Sequence, residues 1–595
     1  MTNTACRTEG TAFRFRKLLL LVLCGTGSLF TPVIACAGLS VPQLAPDANS
    51  ELAEFHKRVY EPRRLEKIGK RVHMSLGDSY ANFSFIEGDD GVIVIDAGFF
   101  TGNVEHALAR LRETVTDKPI IGMIYTHAHR DHTGGSGAIV NAAETDIPIY
   151  APADWVEDDA YVGSSLRDMV QYKAFSQFGL LLPEGINGSV GSGIGPVTRL
   201  EGGLAFTPPN HGVDQVTEIT LAGVKMVMIP MYGDIKGHMW IWLPEEKVMF
   251  TGDTIMGTTM PYISTARFEP DRKALEFVKS LDQLAEYPVE YVVPGHGRAL
   301  LGQADVQEIA ILNRDFAQFM ANQVTRFILK GYSADQIIDQ LTLPPSLADH
   351  PDLQPYYHRL PWIIRGLYLK RAGWVDDFNR LARHTQSEEA RRLLPLIGGE
   401  DSANEHALQS LEAGDYRWAV QLASTVLLVN PENQISADIQ KQAYQGIANT
   451  TRSANERNYM LTKIKELEGA APWNRILVKL GLPARMQQSD AQLLKMMEDR
   501  FMYEDAPNLT LRVAVNVDDD DTWHSLRVRN GVLIYEGVDQ AGEHDGRLTV
   551  SHSDLAKLAT GAIPWSQSIQ LGVVNVVDGK DAVQTLTSLI KVEFP

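Results

Sequence analysis

The stretch "IYTHAHRDHTGG" (residues 124–135) places three histidines and one aspartate within six positions. These residues, His127, His129, Asp131 and His132, follow an apolar run that predicts a buried strand ending in a loop. Alternating residues of an extended chain point the same way, so His127 and His129 can bind one metal ion. Asp131 and His132, in the loop that follows, can face a second ion. The pattern therefore predicts a metal site at the end of a strand.

The first 37 residues differ in composition from the rest of the chain. Basic residues precede an apolar run, which ends in small residues at Ala35 and Ala37, and this order is typical of a cleaved secretory signal peptide. We therefore predict a signal peptide over residues 1–37 and a periplasmic or secreted protein. The stretch "VIAC" also resembles a bacterial lipoprotein box, so the alternative is a membrane-anchored lipoprotein with its lipid anchor at Cys36.

All three cysteines, Cys6, Cys24 and Cys36, lie in this leader. The exported chain is therefore predicted to have no disulfide, no thiol nucleophile and no thiolate metal ligand. A transition-metal site in such a chain must use histidine, aspartate, glutamate and water.

The formal net charge is −19 at pH 7. Binding to a nucleic-acid backbone needs clustered lysine and arginine, so this charge argues against a general nucleic-acid partner. A small anionic substrate remains open, because metal ions or local groups can set the electric field inside a cleft.

Three regions are predicted after the leader. Residues 38–305 alternate short β-branched runs with glycine-rich turns and amphipathic segments, which is an α/β pattern with polar residues at the strand ends. Residues 306–475 are nearly all helical by pattern and include a helical hairpin turned at Gly414–Asp415. Residues 485–595 mix alternating strands with short helices, an α+β pattern.

Four further motifs in the α/β region each contain one polar residue that suits a metal site. They are Asp96 in "VIVIDAG", His238 in "GDIKGHMWIW", Asp253 in "FTGDT" and His296 in "VVPGHG". With the histidine-rich stretch, and in this order, they resemble the motifs of the metallo-β-lactamase superfamily and, within it, the dinuclear zinc hydrolases. The resemblance implies an αββα sandwich for residues 38–305 and two Zn²⁺ ions per chain.

The same resemblance assigns a role to each motif residue. The implied ligands are His127, His129 and His238 for the first zinc, Asp131, His132 and His296 for the second, and Asp253 as the bridging carboxylate. Asp96 is implied to support the ligands from behind. Two zinc ions lower the pKa of a shared water and polarise the substrate oxygen, and Asp131 is implied to hold the proton of that water as a general base.

The whole chain also resembles the alkyl sulfatases of this superfamily. The segment "YYHRLPWIIRGLYLKRAGWVDD" (356–377), the α+β tail and residues 171–195 carry this likeness. It implies an all-α dimerisation domain over residues 306–475, a sterol carrier protein 2-like domain over residues 485–595, and a homodimer. The implied substrate is an amphiphilic ester, and Arg267 in "ISTARFEP" is the implied sulfate-binding residue.

One departure from that family keeps other substrates open. Alkyl sulfatases generally carry glutamate where this chain has His238 and Asp253, and a neutral histidine leaves the site one charge more positive. The favoured prediction is an exported dinuclear zinc alkyl sulfatase that yields alcohol and sulfate. The alternative is a zinc hydrolase of a phosphodiester, lactone or thioester. A lipid-binding or scaffolding protein with a structural metal site is a third hypothesis, disfavoured because every ligand motif is present.

Overall fold

Two mixed β-sheets form the inner layers of the α/β region. The structure, a computed structural model, describes residues 40–143, 145–155, 165–197, 199–267, 272–518, 522–539 and 543–594. The first sheet contains β1 (Arg64–Ile68), β2 (Val72–Leu76), β3 (Phe83–Glu87), β4 (Val92–Ile95), β5 (Ile120–Ile124), β6 (Ile149–Pro152) and β7 (His211–Val213), paired in that order. Its first four strands are antiparallel, and β4 to β7 are parallel.

The second sheet also pairs its strands in chain order. It contains β8 (Thr217–Leu221), β9 (Val224–Met231), β10 (His238–Leu243), β11 (Val248–Met256), β12 (Tyr291–His296) and β13 (Leu300–Leu301). Only β11 and β12 are parallel neighbours in this sheet as described.

The helices of this region lie before, between and after the strands. Those that the structure describes are α1 (Ser50–Tyr60), α2 (Thr101–Thr114), α3 (Arg130–Thr133), α4 (Ser136–Ala142), α5 (Leu166–Gln177) and α6 (Ala274–Leu284).

Helices dominate the next part of the chain. The described ones are α7 (Gln303–Leu329), α8 (Ala334–Gln340), α9 (Pro345–Ala348), α10 (Leu360–Ala372), α11 (Gln386–Leu396), α12 (Gly399–Glu412), α13 (Tyr416–Leu427), α14 (Gln434–Thr450), α15 (Ala454–Leu467) and α16 (Trp473–Arg485). The predicted turn between α12 and α13 is confirmed: Gly414 has φ +78°, and the Asp415 side chain caps α13 by accepting the Trp418 N–H.

A third, five-stranded sheet forms the C-terminal region. Its elements are α17 (Asp490–Lys495), β14 (Leu511–Val517), β15 (Trp523–Arg529), β16 (Val532–Asp539), β17 (Gly546–Val550), α18 (His552–Thr560), β18 (Val574–Asp578) and α19 (Lys580–Ser588). The strand order is β16-β15-β14-β17-β18.

The alternation of side chains along each strand produces the layers of the sandwich. In β4, Ile93 and Ile95 join the core between the two sheets, whereas Val92 and Val94 pack on the other face with residues of α2 and α4. The outer face of the second sheet packs against α6 and α7. The predicted fold class is thereby confirmed: an αββα sandwich, then a helical region, then an α+β region.

The helical region holds loops of the sandwich by hydrogen bonds. The Tyr357 N–H donates to Thr259 Oγ1 at 3.3 Å, and the Tyr357 hydroxyl accepts from the Gln177 side chain at 2.8 Å. The Asn458 amide donates to the carbonyl oxygens of Gln177 at 3.0 Å and Gly191 at 3.2 Å. These loops lie beside the strand ends where the predicted metal site falls.

No described helix combines the length and the apolar character that a membrane span requires. The predicted signal peptide and Cys36 lie outside the described residues.

Candidate metal centre

The ends of four strands bring the predicted ligands to one edge of the sandwich. Asp96 follows β4 and His127 follows β5, and these two strands are parallel neighbours. Asp253 lies in β11 and His296 ends β12, which are the parallel pair of the second sheet. Because the carboxyl ends of parallel strands meet at one edge, residues that are 200 positions apart in the chain converge there.

The first group of potential ligands contains His127, His129, Asp234 and Asp253. The ring nitrogens His127 Nε2 and His129 Nδ1 lie 2.9 Å apart. His127 Nε2 is 3.7 Å from Asp253 Oδ2, and His129 Nδ1 is 3.4 Å from Asp234 Oδ2. All four side chains therefore present donor atoms to one small volume.

The second group contains Asp131, His132 and His296 and shares Asp253 with the first. Asp253 Oδ1 is 3.1 Å from His132 Nε2 and 3.3 Å from His296 Nε2, and His296 Nε2 is 3.4 Å from Asp131 Oδ2. Tetrahedral zinc with bonds of about 2.0–2.1 Å spaces its ligand atoms about 3.3 Å apart. The observed spacing therefore suits such an ion.

Buried atoms without a hydrogen bond provide the test of whether a metal fits here. His132 Nε2, His296 Nε2, Asp253 Oδ1 and Asp234 Oδ1 are all buried and make no hydrogen bond to the part of the chain that the structure describes. An unsatisfied buried polar atom costs about 1–3 kcal/mol, so four at one place need a partner. Nitrogen and carboxylate oxygen are the donors that zinc accepts in the absence of thiolates, and the residues present fit a metal.

Hydrogen bonds on the far side of each ring fix which nitrogen faces the centre. Asp96, held at φ +57°, accepts the Thr126 N–H at 2.8 Å and lies 2.8 Å from His132 Nδ1. His296 Nδ1 lies 2.8 Å from the Tyr80 carbonyl oxygen. Because each Nδ1 is used in this way, each Nε2 is left for a metal. The contact between Asp96 and His132 is the kind expected of the supporting role predicted for Asp96.

The structure does not bring His238 into either group of described residues, and its place among the ligands stays a prediction. Its Nε2 accepts the Asp253 backbone N–H at 3.2 Å, and its ring stacks on that of His127 with centroids 4.8 Å apart. Asp234, four residues earlier in the loop between β9 and β10, faces the first group instead. The physical reason is that His238 already belongs to β10, where its side chain lies against the neighbouring strand β11.

Charges at the centre shift the pKa values in opposite directions. Burial lowers the pKa of His132, but the carboxylates of Asp253 and Asp96 outweigh that effect and raise it well above its usual value. Burial dominates at His238 and lowers its pKa to about 4. Burial raises the pKa of Asp253, but the surrounding histidines outweigh it and hold the pKa well below its usual value. Protons and metal ions therefore compete for His132.

Arg267 lies beside the centre and not among the ligands. Its guanidinium carbon is 5.7 Å from the centroid of the Phe178 ring. Phe178 belongs to a buried cluster with Tyr80, Tyr262, Tyr357, Ile194 and Met256, which we call the aromatic cluster. The assignment of Arg267 to sulfate, of Asp131 to proton transfer and of the remaining motif residues to zinc stays a prediction.

Three residues at the centre were not singled out from the sequence: Asp234, Tyr262 and Arg272. Asp234 follows β9 at the same edge as the other ligands, and this strand-end position could have identified it. Tyr262 and Arg272 stand in "MPYISTARFEPDR", which has no motif for a metal site. Their role depends on tertiary contacts alone.

Family models match three consecutive parts of the chain. The model of the metallo-beta-lactamase superfamily matches residues 76–296. The alkyl sulfatase dimerisation model matches residues 333–470, and the alkyl sulfatase C-terminal model matches residues 488–594.

Individual relatives agree with these models. A linear primary-alkylsulfatase of Pseudomonas sp. (strain ATCC 19151) is 27% identical over 506 residues, which is 82% of this chain and 95% of the relative. An (R)-specific secondary-alkylsulfatase of Pseudomonas sp. is 26% identical over 422 residues, which is 69% of this chain and 63% of the relative. The solved structure of the stereoselective inverting sec-alkylsulfatase Pisa1 from Pseudomonas sp. has the same fold, with a TM-score of 0.75 and 22% identity over 93% of this chain and 88% of that one.

Two facing sheets with clustered histidines and carboxylates at one edge define a metal-dependent hydrolase of the metallo-β-lactamase type. The helical and C-terminal regions, which the sandwich alone does not require, match their alkyl sulfatase counterparts. The chain belongs to the alkyl sulfatases of the metallo-β-lactamase superfamily and is a hydrolase that acts on ester bonds.

Proposed function

We propose that this protein is an exported dinuclear zinc alkyl sulfatase, which hydrolyses sulfate esters of alkyl chains to an alcohol and sulfate. The observation that carries the proposal is the pair of ligand groups that share Asp253, beside an arginine and an aromatic cluster. When bound, two such ions supply Lewis acidity and a nucleophile at neutral pH.

The residues around the centre suit the two ends of an amphiphilic ester. The guanidinium of Arg267 offers a planar set of donors for the anionic sulfate. The half-buried Phe99, which packs against the aromatic cluster, offers apolar surface for the first part of the alkyl chain. The Asp131 side chain keeps 19% of its surface exposed, unlike the buried Asp253, so it faces the opening of the centre. From there it can accept the proton of an attacking water.

Sulfate release from dodecyl sulfate tests the substrate class. We expect the purified full chain to release sulfate, to lose this activity on dialysis against a chelator, and to regain it with Zn²⁺. Metal analysis should find close to two zinc ions per chain. Dodecyl phosphate and dodecyl acetate, which keep the alkyl chain and change only the ester, serve as matched controls. Turnover of either control above that of the sulfate would favour the alternative of another ester class, which His238 and Asp253 motivate.

An exposed apolar segment in the helical region is the contact that we assign to the homodimer. Phe378 is 85% exposed, Trp374 is 65% exposed and Leu381 is 62% exposed. The segment lies within the part matched by the dimerisation model. Several exposed apolar side chains close together mark a protein contact surface. We assign a second copy of the chain as the partner that covers it.

Replacing Phe378 by aspartate should convert the dimer to a monomer, because a carboxylate placed in an apolar contact loses its hydration without gaining a partner. Light scattering coupled to size exclusion measures the mass. Leu571→Asp, at a side chain that is 58% exposed in the C-terminal region, is the control and should leave the dimer intact. A Phe378→Asp protein that remains dimeric would place the contact elsewhere.

The proposed export depends on the predicted signal peptide over residues 1–37. The mass of the purified mature protein tests whether that segment has been removed. We expect a bacterial host to deliver the protein outside the cytosol with residues 1–37 removed. A mature N-terminus at a lipid-modified Cys36 would support the lipoprotein alternative. Recovery of the uncleaved chain from the cytosol would contradict export.

A further inference from the structure

The two buried carboxylates of the first ligand group, Asp253 and Asp234, each accept hydrogen bonds from neighbouring side chains through one oxygen only. Asp253 Oδ2 accepts a hydrogen bond from the Tyr262 hydroxyl, and Asp234 Oδ2 accepts one from Arg272 Nη1 at 2.8 Å. The other oxygen of each, Oδ1, is buried and makes no hydrogen bond to any described residue. The same division of the two oxygens occurs at both carboxylates.

Tyr262 and Arg272 form one buried unit. The Arg272 guanidinium carbon lies 3.9 Å from the centroid of the Tyr262 ring, and Nη1 also approaches the Tyr262 carbonyl oxygen at 3.4 Å. The Tyr262 hydroxyl lies 3.4 Å from Asp234 Oδ2, so it contacts both carboxylates. Arg272 is 2% exposed and Tyr262 is 6% exposed, which keeps water from replacing either donor.

A contact from the helical region fixes this unit in place. The Lys370 ammonium, on α10, donates to the Arg272 carbonyl oxygen at 2.9 Å. The Tyr262 ring packs against that of Tyr357, with centroids 5.3 Å apart.

We propose that Tyr262 and Arg272 are positioning residues, which hold Asp253 and Asp234 in the rotation that directs one oxygen of each toward the metals. This inference rests on the proposed metal site and deepens it. A carboxylate anchored at Oδ2 is held against rotation, so the chain meets the ion with Oδ1 of each aspartate already free of hydrogen bonds to the described residues. Each Oδ2 keeps a second lone pair and still faces His127 or His129. Arg272 also balances the charge of Asp234, which makes the buried aspartate tolerable before metal binds.

Zinc affinity of the full-length protein tests the proposal without any substrate. Competition with a chromogenic chelator should show that Tyr262→Phe and Arg272→Met each weaken zinc binding by about 10- to 100-fold, the usual effect of removing a group that orients a ligand. Tyr357→Phe removes a buried hydroxyl from the same aromatic cluster and should leave zinc affinity unchanged. The absorption spectrum of the Co²⁺-loaded protein should shift in the first two variants and not in the third.

The outcomes separate positioning from a general loss of packing. Unchanged zinc affinity in both Tyr262→Phe and Arg272→Met would overturn the proposal, and so would an equal loss in Tyr357→Phe. Should Arg272→Met not fold, Arg272→Lys decides, because it keeps the charge without the planar pair of donors. Its zinc affinity should fall between those of the unaltered chain and Tyr262→Phe, and an unchanged value would overturn the assignment of Arg272. Suppose that the variants lose zinc affinity as expected but the unaltered chain releases no sulfate. That result would contradict the proposed function and leave the positioning proposal standing.

Discussion

Replacing Asp253 by asparagine is expected to remove nearly all sulfate release and to lower the amount of bound metal. Asp253 is the one described side chain whose two oxygens face both ligand groups, with Oδ1 near His132 and His296 and Oδ2 near His127. Asparagine keeps the volume but loses the charge and turns one acceptor into an N–H₂ donor, which cannot bind a cation. A bound metal contributes several kcal/mol to the transition state, so the loss should be on the order of a thousandfold.

A change at His238 is the matched control for this experiment. His238→Gln keeps an acceptor for the Asp253 N–H, and His238 Nδ1 has no partner among the described residues to lose. We therefore expect the variant to retain its metal and most of its activity. Equal losses of metal in Asp253→Asn and His238→Gln would instead support the predicted place of His238 in the ligand set.

Replacing Arg457 by methionine should strongly destabilise the folded protein. The guanidinium, which is fully buried, donates to the carbonyl oxygens of Gly188 and Ala448 at 2.8 and 2.7 Å, and to those of Asp47 and Ile186 at 2.5 and 2.6 Å. Burial, only partly offset by the charge of Asp47, lowers its pKa to about 10. Methionine fills the space but leaves the carbonyls unsatisfied, at about 1–3 kcal/mol for each one that stays buried.

Thermal and denaturant unfolding of the full chain measures this effect. Arg457→Met should lower the Tm by several degrees and the free energy of unfolding by at least about 3 kcal/mol. Arg457→Lys keeps the charge but cannot reach all four carbonyls, so it should lie between. Arg383→Met removes a surface ion pair with Glu389, whose two side chains are 54% and 45% exposed, and should change stability far less than Arg457→Met does. A Tm for Arg457→Met equal to that of Arg383→Met would show that water replaces the lost donors.

The sequence was informative wherever function depends on consecutive residues. The cluster from His127 to His132, the strand that precedes it and the order of the later motifs were enough to predict the sandwich, and the patterns of the helical and C-terminal regions predicted the rest of the fold. Periodicity within each segment predicted its strands and helices, and the resemblance carried by the motifs implied how the strands assemble into a sandwich.

The loop from Asp234 to His238 shows where such inference stops. Both residue types can bind zinc, and they stand four positions apart. Their roles are decided by where β10 begins and by the hydrogen bond from the Asp253 backbone on the neighbouring strand. Tyr262 and Arg272 are harder still, because only the folded chain places them against carboxylates that come from other segments.

The bonds from Tyr357 and Lys370 into the sandwich have a consequence for how this enzyme can be divided. A shortened chain that stops after the sandwich would leave the backbone near Arg272 and the segment at Gln177 without the partners that now brace them. The sandwich is therefore not an independent unit to which a helical region has simply been added. A chimera that grafts the sandwich onto a different scaffold would have to supply substitutes for these two braces before its catalytic edge could be expected to work.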